Sequence, residues 1–390
     1  MEPFVYDIPT KVYFGKEELC HLGEELAKYG KKVFFIYSGD YIKDIGIYDL
    51  VSNECKKHGL EFVVYNRVMP NPRHTDVQDG IDLCRLEGCD VILAVGGGSA
   101  IDSAKAIASG FYIDAPIWDV ILGKYEVTRS LPIVTISTLS ATGSEMNMGA
   151  VISNLNTHDK QSLRRPTQKP KATFLNPEYT YTVGSFQTAC GVVDMICHTI
   201  ETYFSDDEPM YMLDTVMEGL VRTAFKYGPI AFKDPKNYEA RANLMWVAPW
   251  AINDFIRYDK SKLWTMHPIE HELSAYYDIT HGLGLAIIMP RYLRHIIDEK
   301  SLPRFKQLGI YALDIDRDLS LEETAEAVIK KIEDLCYREF GLASSLSELG
   351  IDGKDFDEIA TKLAKDDGYF TTGYRRLSKD EIVKILNECL

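Results

Sequence analysis

The sequence lacks several features that mark large classes of protein. It has no apolar run of about eighteen residues, the length that spans a bilayer, and its start, MEPFVYDIPT, lacks the basic and then apolar pattern of a signal peptide. Its eight cysteines are scattered without a C-x-x-C pair, which opposes both a disulfide framework and a thiolate metal site. Internal repeats and low-complexity segments are also missing. We therefore expect a cytoplasmic protein with reduced thiols.

Positive charge is also scarce. The chain carries 43 Lys and Arg against 58 Asp and Glu, for a formal net charge of -15. This balance argues against nucleic acid or an anionic membrane as a partner and leaves small molecules, which need only a local basic spot. The 390 residues, 46% hydrophobic and 26% charged, are enough for two domains with proper cores.

The first half of the chain alternates short apolar runs with amphipathic stretches, which predicts a parallel α/β sheet. Strands are predicted at 33–37, 61–65, 91–95 and 133–137, and Thr75 is predicted to cap a helix that ends near residue 87. The opening segment FVYDIPTKVYFG could pair along a sheet edge or across a dimer, so we expect a homodimer. Near Pro177 the strand pattern stops and long helical stretches follow. We predict an α/β domain at 1–180 and an all-helical domain at 181–390, with a cleft between them.

A glycine turn lies between the predicted strand at 91–95 and the helix that follows it. Its residues are Gly96, Gly97, Gly98 and Ser99. Such a turn lets the backbone approach a diphosphate, and the helix dipole favours the negative charge. It is not the G-x-G-x-x-G fingerprint, but its position at the carboxyl end of a buried strand is where open α/β sheets bind ligands. Asp102 could reach a ribose or carboxamide, whereas Lys105 is expected on a solvated face.

A loop rich in hydroxyl groups follows the strand at 133–137. Thr138, Thr142 and Ser144 are our candidates for binding phosphate and ribose oxygens, because hydroxyls donate hydrogen bonds without adding charge. Lys160 closes this region as an isolated cation. The glycine turn and this loop together predict a domain that binds a dinucleotide in a Rossmann-like manner.

Histidines cluster in the helical half, in the stretch MHPIEHELSAYYDITHG. His267 and His271 are four residues apart, so both would lie on one helix face, and His281 follows a short break. Asp194 and His198 are also four apart on an apolar helical pattern. A single histidine of this kind is usually part of a hydrogen-bonded core. The set, however, would cost several kcal/mol to bury unless it were paired or bound a metal, so we predict a metal site in which His271 is one candidate ligand.

Four motifs in order, GGGSAIDSAK, TLSATGSEMN, D-x-x-x-H and H-x-x-x-H followed by H-G, resemble those of the iron-containing (type III) alcohol dehydrogenases, in particular the NADP-dependent butanol dehydrogenase and broad aldehyde reductase branch. The resemblance spans nearly the whole chain. It implies a dinucleotide-binding α/β domain, an all-helical domain of the architecture shared with dehydroquinate synthase, and Fe²⁺ or Zn²⁺ in the cleft. By the same matching, the metal ligands fall on Asp194, His198, His267 and His281, and His271 lies outside the ligand set, near the nicotinamide.

The resemblance implies hydride transfer between a nicotinamide cofactor and a short-chain alcohol or aldehyde such as butanol or butanal. The catalytic residues would be His271 and Asp102. A carboxylate after the second strand favours NAD, and Asp40 stands there. The family position that carries this carboxylate falls on Gly39, however, and Lys43 could face a 2′-phosphate. We therefore expect NADP(H), with NAD(H) as the alternative.

Other functions fit parts of the pattern. A non-redox lyase similar to dehydroquinate synthase would need a basic cluster near the histidines, and none is present in the sequence. An NAD-dependent polyol dehydrogenase is a further alternative. A metal-dependent hydrolase, or a metal-binding protein without turnover, would have no use for the glycine turn.

Overall fold

The structure, a computed structural model, describes residues 5–205, 210–257, 264–364 and 368–390. These residues form two compact units. The N-terminal unit is Asp7–Thr182, and the C-terminal unit is Val183–Leu390 together with the described residues before Asp7. The sequence placed the division near residue 180. No helix among the described residues is both long enough and apolar enough to cross a membrane.

A six-stranded parallel sheet forms the centre of the N-terminal unit, with strand order β1-β8-β5-β4-β2-β3. The strands of this sheet are β1 (Lys11–Phe14), β2 (Lys32–Tyr37), β3 (Glu61–Tyr65), β4 (Val91–Gly96), β5 (Ile133–Ser137) and β8 (Ala172–Leu175). The helices of the unit are α1 (Leu22–Ala27), α2 (Tyr41–Asp44), α3 (Ile47–Lys57), α4 (His74–Leu86), α5 (Gly98–Gly110) and α6 (Ile117–Ile121).

Two apolar cores lie on the two faces of this sheet, which explains why its strands read as continuous apolar runs. On β2, Phe34 and Ile36 enter one core, while Val33 and Phe35 enter the other. Successive side chains of a strand point to opposite faces, so a strand covered on both sides needs apolar residues at every position. The predicted α/β fold class is confirmed.

Two details of the N-terminal unit differ from the sequence prediction. The first is an antiparallel pair, β6 (Gly149–Asn154) with β7 (Asp159–Arg164), which follows the hydroxyl loop and was not predicted. The prediction that Thr75 caps α4 is wrong, because the helix begins at His74 and is preceded by Arg73 in an extended conformation. The backbone of Arg73 forms an isolated parallel β-bridge with that of Ser153 in β6. This tertiary contact fixes the start of the helix in place of a side-chain cap.

Helices make up nearly all of the C-terminal unit. They are α7 (Ser185–Tyr203), α8 (Tyr211–Lys233), α9 (Tyr238–Trp250), α10 (Asp254–Arg257), α11 (Met266–Tyr277), α12 (His281–His295), α13 (Leu302–Leu313), α14 (Leu321–Glu333), α15 (Phe356–Ala364) and α16 (Lys379–Glu388). α7 is buried from Thr188 to Tyr203, so it forms the centre of one large core that the other helices surround. A largely apolar helix that is buried on all sides belongs in such a position.

One small feature departs from the all-helical prediction for this unit. β9 (Tyr369–Phe370) and β10 (Leu377–Ser378) pair antiparallel over two residues each. A ladder this short leaves no detectable alternation in the sequence. The helical fold class of the unit is otherwise confirmed.

Candidate metal and cofactor sites

The central helix of the C-terminal unit carries the first half of a polar cluster. Asp194 and His198 lie one turn apart on α7, and only 2% and 3% of their surfaces are exposed. Buried polar groups on an otherwise apolar helix require partners. The histidines of α11 and α12 are those partners.

A tight turn between α11 and α12 brings the remaining histidines together. α11 ends at Tyr277, and Asp278 takes a left-handed conformation with φ of 49°. α12 then begins at His281, so the helix break that we predicted at 278–280 is confirmed. Aspartate tolerates this left-handed conformation better than most residues. The reversal places the His281 ring 5.2 Å from that of His267, measured between centroids.

The ring nitrogens converge on one carboxylate oxygen. Oδ1 of Asp194 lies 3.4 Å from Nε2 of His267, 3.5 Å from Nε2 of His198 and 3.6 Å from Nε2 of His281. Two atoms bonded at about 2.1 Å to a tetrahedral metal are about 3.4 Å apart. The ligand atoms of Asp194, His267 and His281 all lie within 4.8 Å of one another, and His198 faces the same carboxylate oxygen. The donor types fit a divalent cation, since imidazole nitrogen and carboxylate oxygen suit iron and zinc.

The electrostatics of the cluster reflect its burial. Burial by itself would raise the pKa of Asp194, but the imidazoles of His198, His267 and His281 outweigh it and lower that pKa. Burial lowers the pKa of His198 to about 3, which keeps its ring neutral and able to bind a cation. Burial also opposes charge on His267, yet its pKa is raised because the sulfur of Cys197 and the Glu201 carboxylate lie against the ring.

Two buried glutamates behind the rings were missed by the sequence reasoning. Glu201 on α7 contacts Nδ1 of His267, and Glu270 on α11 contacts Nδ1 of His281. Each lies three residues after a candidate ligand in the sequence, and that spacing on a buried helix could have drawn attention to them. It would have suggested the wrong partners, because neither glutamate holds the histidine three residues before it.

His271 stands beside the cluster and is half-buried. Its ring lies 5.4 Å from that of His281 and 6.2 Å from that of His267, between centroids. Its position on α11 directs it along the same helix face as His267, as the spacing predicted. The nitrogen set that faces Asp194, however, is formed by the other three histidines.

In the N-terminal unit, the carboxyl ends of three adjacent strands bring most of the predicted cofactor residues to one sheet edge. The backbone N–H of Thr138 after β5 donates to the carbonyl of Gly96 at the end of β4, at 3.1 Å. The hydroxyls of Thr138 and Tyr41 are 2.7 Å apart, which links this loop to the segment after β2. The turns that hold Gly39 and Asp40, the glycine turn and the hydroxyl loop therefore leave neighbouring strands at the same edge.

The glycine turn is tightly packed, so its glycines are required. Gly96 has φ of 150°, and a Cβ there would meet Ser38 and Ala100 at 2.8 Å. A Cβ on Gly98 would lie 2.5 Å from the hydroxyl of Thr142. The helix begins at Gly98, one residue before Ser99. Its first amides and its dipole therefore point to the place where these bare backbones allow an anion to approach.

The remaining predicted residues of this unit have varied surroundings. Asp102 accepts hydrogen bonds from the hydroxyl of Ser144 and, at 2.9 Å, from the backbone N–H of Val151. Lys160 on β7 is nearly buried, and its ammonium donates to Oδ1 of Asn71 at 3.2 Å. Its charge is close enough to Asp102 to oppose the rise that burial causes in the pKa of that carboxyl.

Lys105 contradicts its prediction. It is 0% exposed and not on a solvated face, and its ammonium donates to Ser144 at 2.9 Å, to Oδ1 of Asn147 at 3.1 Å and to the carbonyl of Gly149 at 2.8 Å. Burial lowers its pKa to about 8. The β6–β7 pair that covers this side of α5 was invisible in the sequence, and so was the burial.

Both halves of this chain are similar in sequence to known proteins. The N-terminal family model "Iron-containing alcohol dehydrogenase" matches residues 9–177, and the model "Fe-containing alcohol dehydrogenase family, C-terminal" matches residues 188–390. The NADH-dependent butanol dehydrogenase A of Clostridium acetobutylicum is 43% identical, with 100% of both chains covered. The NADPH-dependent aldehyde reductase YqhD of Escherichia coli is 33% identical, with 93% of both chains covered.

A solved structure gives the same result. The crystal structure of an NADH-dependent butanol dehydrogenase A from Thermotoga maritima superimposes with a TM-score of 0.92 at 35% identity, covering 100% of this chain and 99% of that one. Two family models together match most of the chain, and the 43% identity to the Clostridium acetobutylicum enzyme extends over the full length of both proteins. The chain belongs to the iron-containing alcohol dehydrogenase family.

Proposed function

We propose that this protein interconverts short-chain alcohols such as butanol with their aldehydes, using NAD(H) and a divalent metal held by Asp194, His198, His267 and His281. Family membership makes the chain an NAD(P)-dependent alcohol dehydrogenase with a divalent metal. The preference for butanol rests on the relatives named above. The single observation that carries the ligand set is the convergence of three Nε2 atoms on one carboxylate oxygen.

The metal would polarise an aldehyde carbonyl or lower the pKa of an alcohol, while the nicotinamide accepts or gives the hydride. The protein residues align the reactants and exclude water around them. Three neutral imidazoles and one carboxylate leave a divalent ion with a net positive charge, which this chemistry needs. We propose Fe²⁺, because four protein ligands fill a tetrahedral zinc site, whereas iron accepts a fifth or sixth ligand more readily.

We assign the proton transfer to His271. Its ring is half-buried beside His281, at 5.4 Å between centroids, and no other imidazole among the described residues lies so near the cluster without facing Asp194. An imidazole can give a proton to an alkoxide and take one from an alcohol. The proton that alcohol oxidation releases would leave through this ring.

The cofactor would be held by the N-terminal unit. The glycine turn and the first amides of α5 suit its diphosphate, and the hydroxyls of Thr138 and Thr142 suit phosphate and ribose oxygens. The Ser144 hydroxyl, which we predicted as a third such donor, is used by Asp102. Asp102 supports this loop through Ser144, and Lys160 supplies a nearby positive charge. Ser99 lies on the first turn of the helix, where its hydroxyl can also donate to an oxygen of the cofactor.

Our proposal of NAD(H) departs from the NADP(H) expected from the sequence. Lys43, which could have faced a 2′-phosphate, lies 2.7 Å from the Asp40 carboxylate, so its charge is already matched. Asp40 is largely exposed after β2, where a carboxylate can accept the ribose 2′-hydroxyl and repel a phosphate. The relative at 43% identity is named as NADH-dependent, whereas the one named as NADPH-dependent is 33% identical.

One assay tests the proposal. Butanal-dependent loss of nicotinamide absorbance is measured with NADH and with NADPH, before chelation, after chelation and after Fe²⁺ or Zn²⁺ is restored. We expect turnover with NADH that chelation abolishes and Fe²⁺ restores best. Turnover that survives complete metal removal would overturn the proposed site, and a strong NADPH preference would overturn the cofactor assignment alone.

We also propose a cytoplasmic homodimer. β1 is an edge strand of the sheet, and an edge strand offers unpaired backbone groups to a second copy. The eight cysteines all lie within the described residues and are free thiols, as in reducing compartments. A monomeric mass in sedimentation equilibrium would contradict the dimer.

A further inference from the structure

We propose that Glu201 and Glu270 are positioning residues of the metal site, each of which accepts the Nδ1 hydrogen of one ligating histidine and so keeps its Nε2 atom turned toward the metal. This inference rests on the metal site of the proposed function. It concerns side chains that face the outer edges of the histidine rings, away from Asp194.

Glu201 holds both the ring of His267 and the helix that carries it. Its Oε2 atom contacts Nδ1 of His267 and accepts from the backbone N–H of the same residue at 3.3 Å. Its Oε1 atom accepts from the backbone N–H groups of Thr265 and Met266. These amides belong to the start of α11, where backbone donors have no partner within the helix. One buried carboxylate on α7 therefore fixes the beginning of α11 and the orientation of its first histidine.

Glu270 holds the other ring. It is 0% exposed, its Oε2 atom contacts Nδ1 of His281, and its Oε1 atom accepts from the hydroxyl of Ser274. Gly284, one turn into α12, leaves the room that this side chain occupies, because a Cβ there would lie 2.8 Å from Cγ of Glu270. The position of His281 at the first residue of α12 thus depends on a carboxylate from the neighbouring helix.

The tautomer of each ring follows from these contacts. A neutral imidazole has one N–H, and a carboxylate can only accept, so the hydrogen resides on Nδ1 and the lone pair on Nε2 is free to bind a cation. Carboxylates in this position also raise the basicity of the ligand. His198 differs, since its Nδ1 atom is buried with no hydrogen-bond partner among the described residues. Only two of the three rings are held in this way.

The two glutamates should respond differently to replacement by glutamine. At position 201, both oxygens face donors, with two backbone N–H groups on one side and a ring N–H and a backbone N–H on the other. A glutamine there must direct its amide hydrogens at one of these sets. If its oxygen accepts from Thr265 and Met266, its amide group faces Nδ1 of His267, and the ring hydrogen must then move to Nε2. At position 270, a glutamine can rotate so that its oxygen faces His281 and its amide faces the Ser274 hydroxyl, which also accepts.

The experiment measures metal affinity in the full-length protein after its metal has been stripped. Co²⁺ and Zn²⁺ are titrated against a chromophoric chelator, for wild type, Glu201→Gln, Glu201→Asp, Glu270→Gln and Glu270→Leu. The absorption intensity of bound Co²⁺ reports the coordination number and does not depend on activity. Circular dichroism and thermal melting of the metal-free proteins show whether each variant folds.

Glu218→Gln is the matched control. Glu218 is 5% exposed in the same unit, and its Oε1 atom accepts from the Tyr203 hydroxyl at 3.1 Å and from the Gln307 amide at 2.7 Å. A glutamine can keep both bonds with its carbonyl oxygen. This variant therefore carries the same chemical change at a buried glutamate whose partners are not histidines.

We expect Glu201→Gln and Glu270→Leu to weaken metal binding by about 10–100-fold, the usual effect of losing an outer partner of a ligand. The metal affinity of Glu270→Gln should fall by less than about tenfold, and the affinity of the Glu218→Gln control should match that of wild type. Glu201→Asp keeps the charge but withdraws the acceptor, so it should be weakened as well. A wild-type protein that binds no metal would overturn the proposed function together with this inference.

Wild-type affinity in both Glu201→Gln and Glu270→Leu, with metal still bound by the parent protein, would overturn the positioning role alone. Wild-type affinity in Glu201→Asp would reduce the role of that residue to its charge and would equally contradict the inference. If a position 201 variant fails to fold, the position 270 pair decides the question, since Ser274 and His281 are the contacts at stake there.

Discussion

Each unit buries a cluster of ionisable side chains, but the two clusters use their hydrogen-bonding atoms in different ways. In the N-terminal unit, Lys105 donates to three acceptors and the Asp102 carboxylate receives donors at both oxygens. An ammonium has three donors, so the Lys105 group is satisfied by the protein itself. In the C-terminal unit, three Nε2 atoms face one carboxylate oxygen. With the ring hydrogens of His267 and His281 on Nδ1, these two Nε2 atoms and the Asp194 oxygen are all acceptors.

The difference separates a scaffold from a binding site. The Lys105 cluster lies under the loop that carries Ser144, and it fixes that loop with bonds that need no ligand. The histidine cluster brings acceptors together at 3.4–3.6 Å from Asp194, which is favourable only when a proton or a cation lies among them. A buried charge network is therefore not evidence for a ligand by itself, and the balance of donors and acceptors decides the interpretation.

The largest expected effect comes from removing the anion of the histidine cluster. We expect Asp194→Asn to weaken Fe²⁺ or Zn²⁺ binding by about 100–1000-fold. This change corresponds to the loss of about a quarter of the binding free energy of a typical site, which is about 10–16 kcal/mol. Butanal reduction should be lost together with the metal. Metal content and chelator competition provide the measurement. Asp214→Asn, which disturbs a buried ion pair with Arg304 in the same unit, should lower thermal stability but leave metal affinity intact.

Removal of the Lys105 ammonium from the N-terminal cluster should lower the stability of the fold and leave metal binding unchanged. Lys105→Met removes a buried donor from Ser144, Asn147 and Gly149. We expect the free energy of unfolding to fall by about 3 kcal/mol, since a buried polar group that loses its partner costs about 1–3 kcal/mol. Urea unfolding measures this change. If Lys105→Met instead left stability unchanged and reduced metal affinity, the distinction between scaffold and binding site would be refuted.

The buried carboxyl of Glu145 should make the stability of the N-terminal unit depend on pH. Burial raises its pKa from an ordinary value of 4.5 to about 7. Between these values the folded protein binds more protons at this site than the unfolded chain, so stability should fall as pH rises from 4.5 to 7, by up to about 3 kcal/mol. Glu145→Gln should flatten this part of the curve. Unfolding curves at several pH values test it, and an unchanged slope in the variant would assign the dependence to other groups.

The smallest effect concerns an exposed charge outside both clusters. Asp40→Ser removes the carboxylate after β2 and should shift the ratio of kcat/KM for NADPH over NADH upward by about fivefold, as suits an exposed ionic interaction of about 1 kcal/mol. Lys43→Ala is the control, because it removes the partner and leaves the carboxylate. We expect that variant to disfavour NADPH further. A ratio that Asp40→Ser leaves unchanged would mean that cofactor choice is made elsewhere.

Much of the fold could be predicted because local patterns carry it. The apolar runs of β2 and β4 are continuous since each strand is covered on both faces, and the spacing of Asp194 and His198 places them on one side of α7. The short β9–β10 ladder and the start of α4 could not be predicted. Their positions depend on contacts between segments far apart in the chain.

The sequence by itself determined the two fold classes, the family, and the residue types that can hold a cation and a dinucleotide, because periodicity and motif spacing are properties of neighbouring residues. Tertiary structure alone decided that Lys105 is buried, that Glu201 holds His267, and that Glu270 holds His281. The sequence separations of 66 and 11 residues in these last two pairs are bridged by helix packing and by the turn at Asp278. Spacing along one helix cannot specify which side chain of another helix will face it.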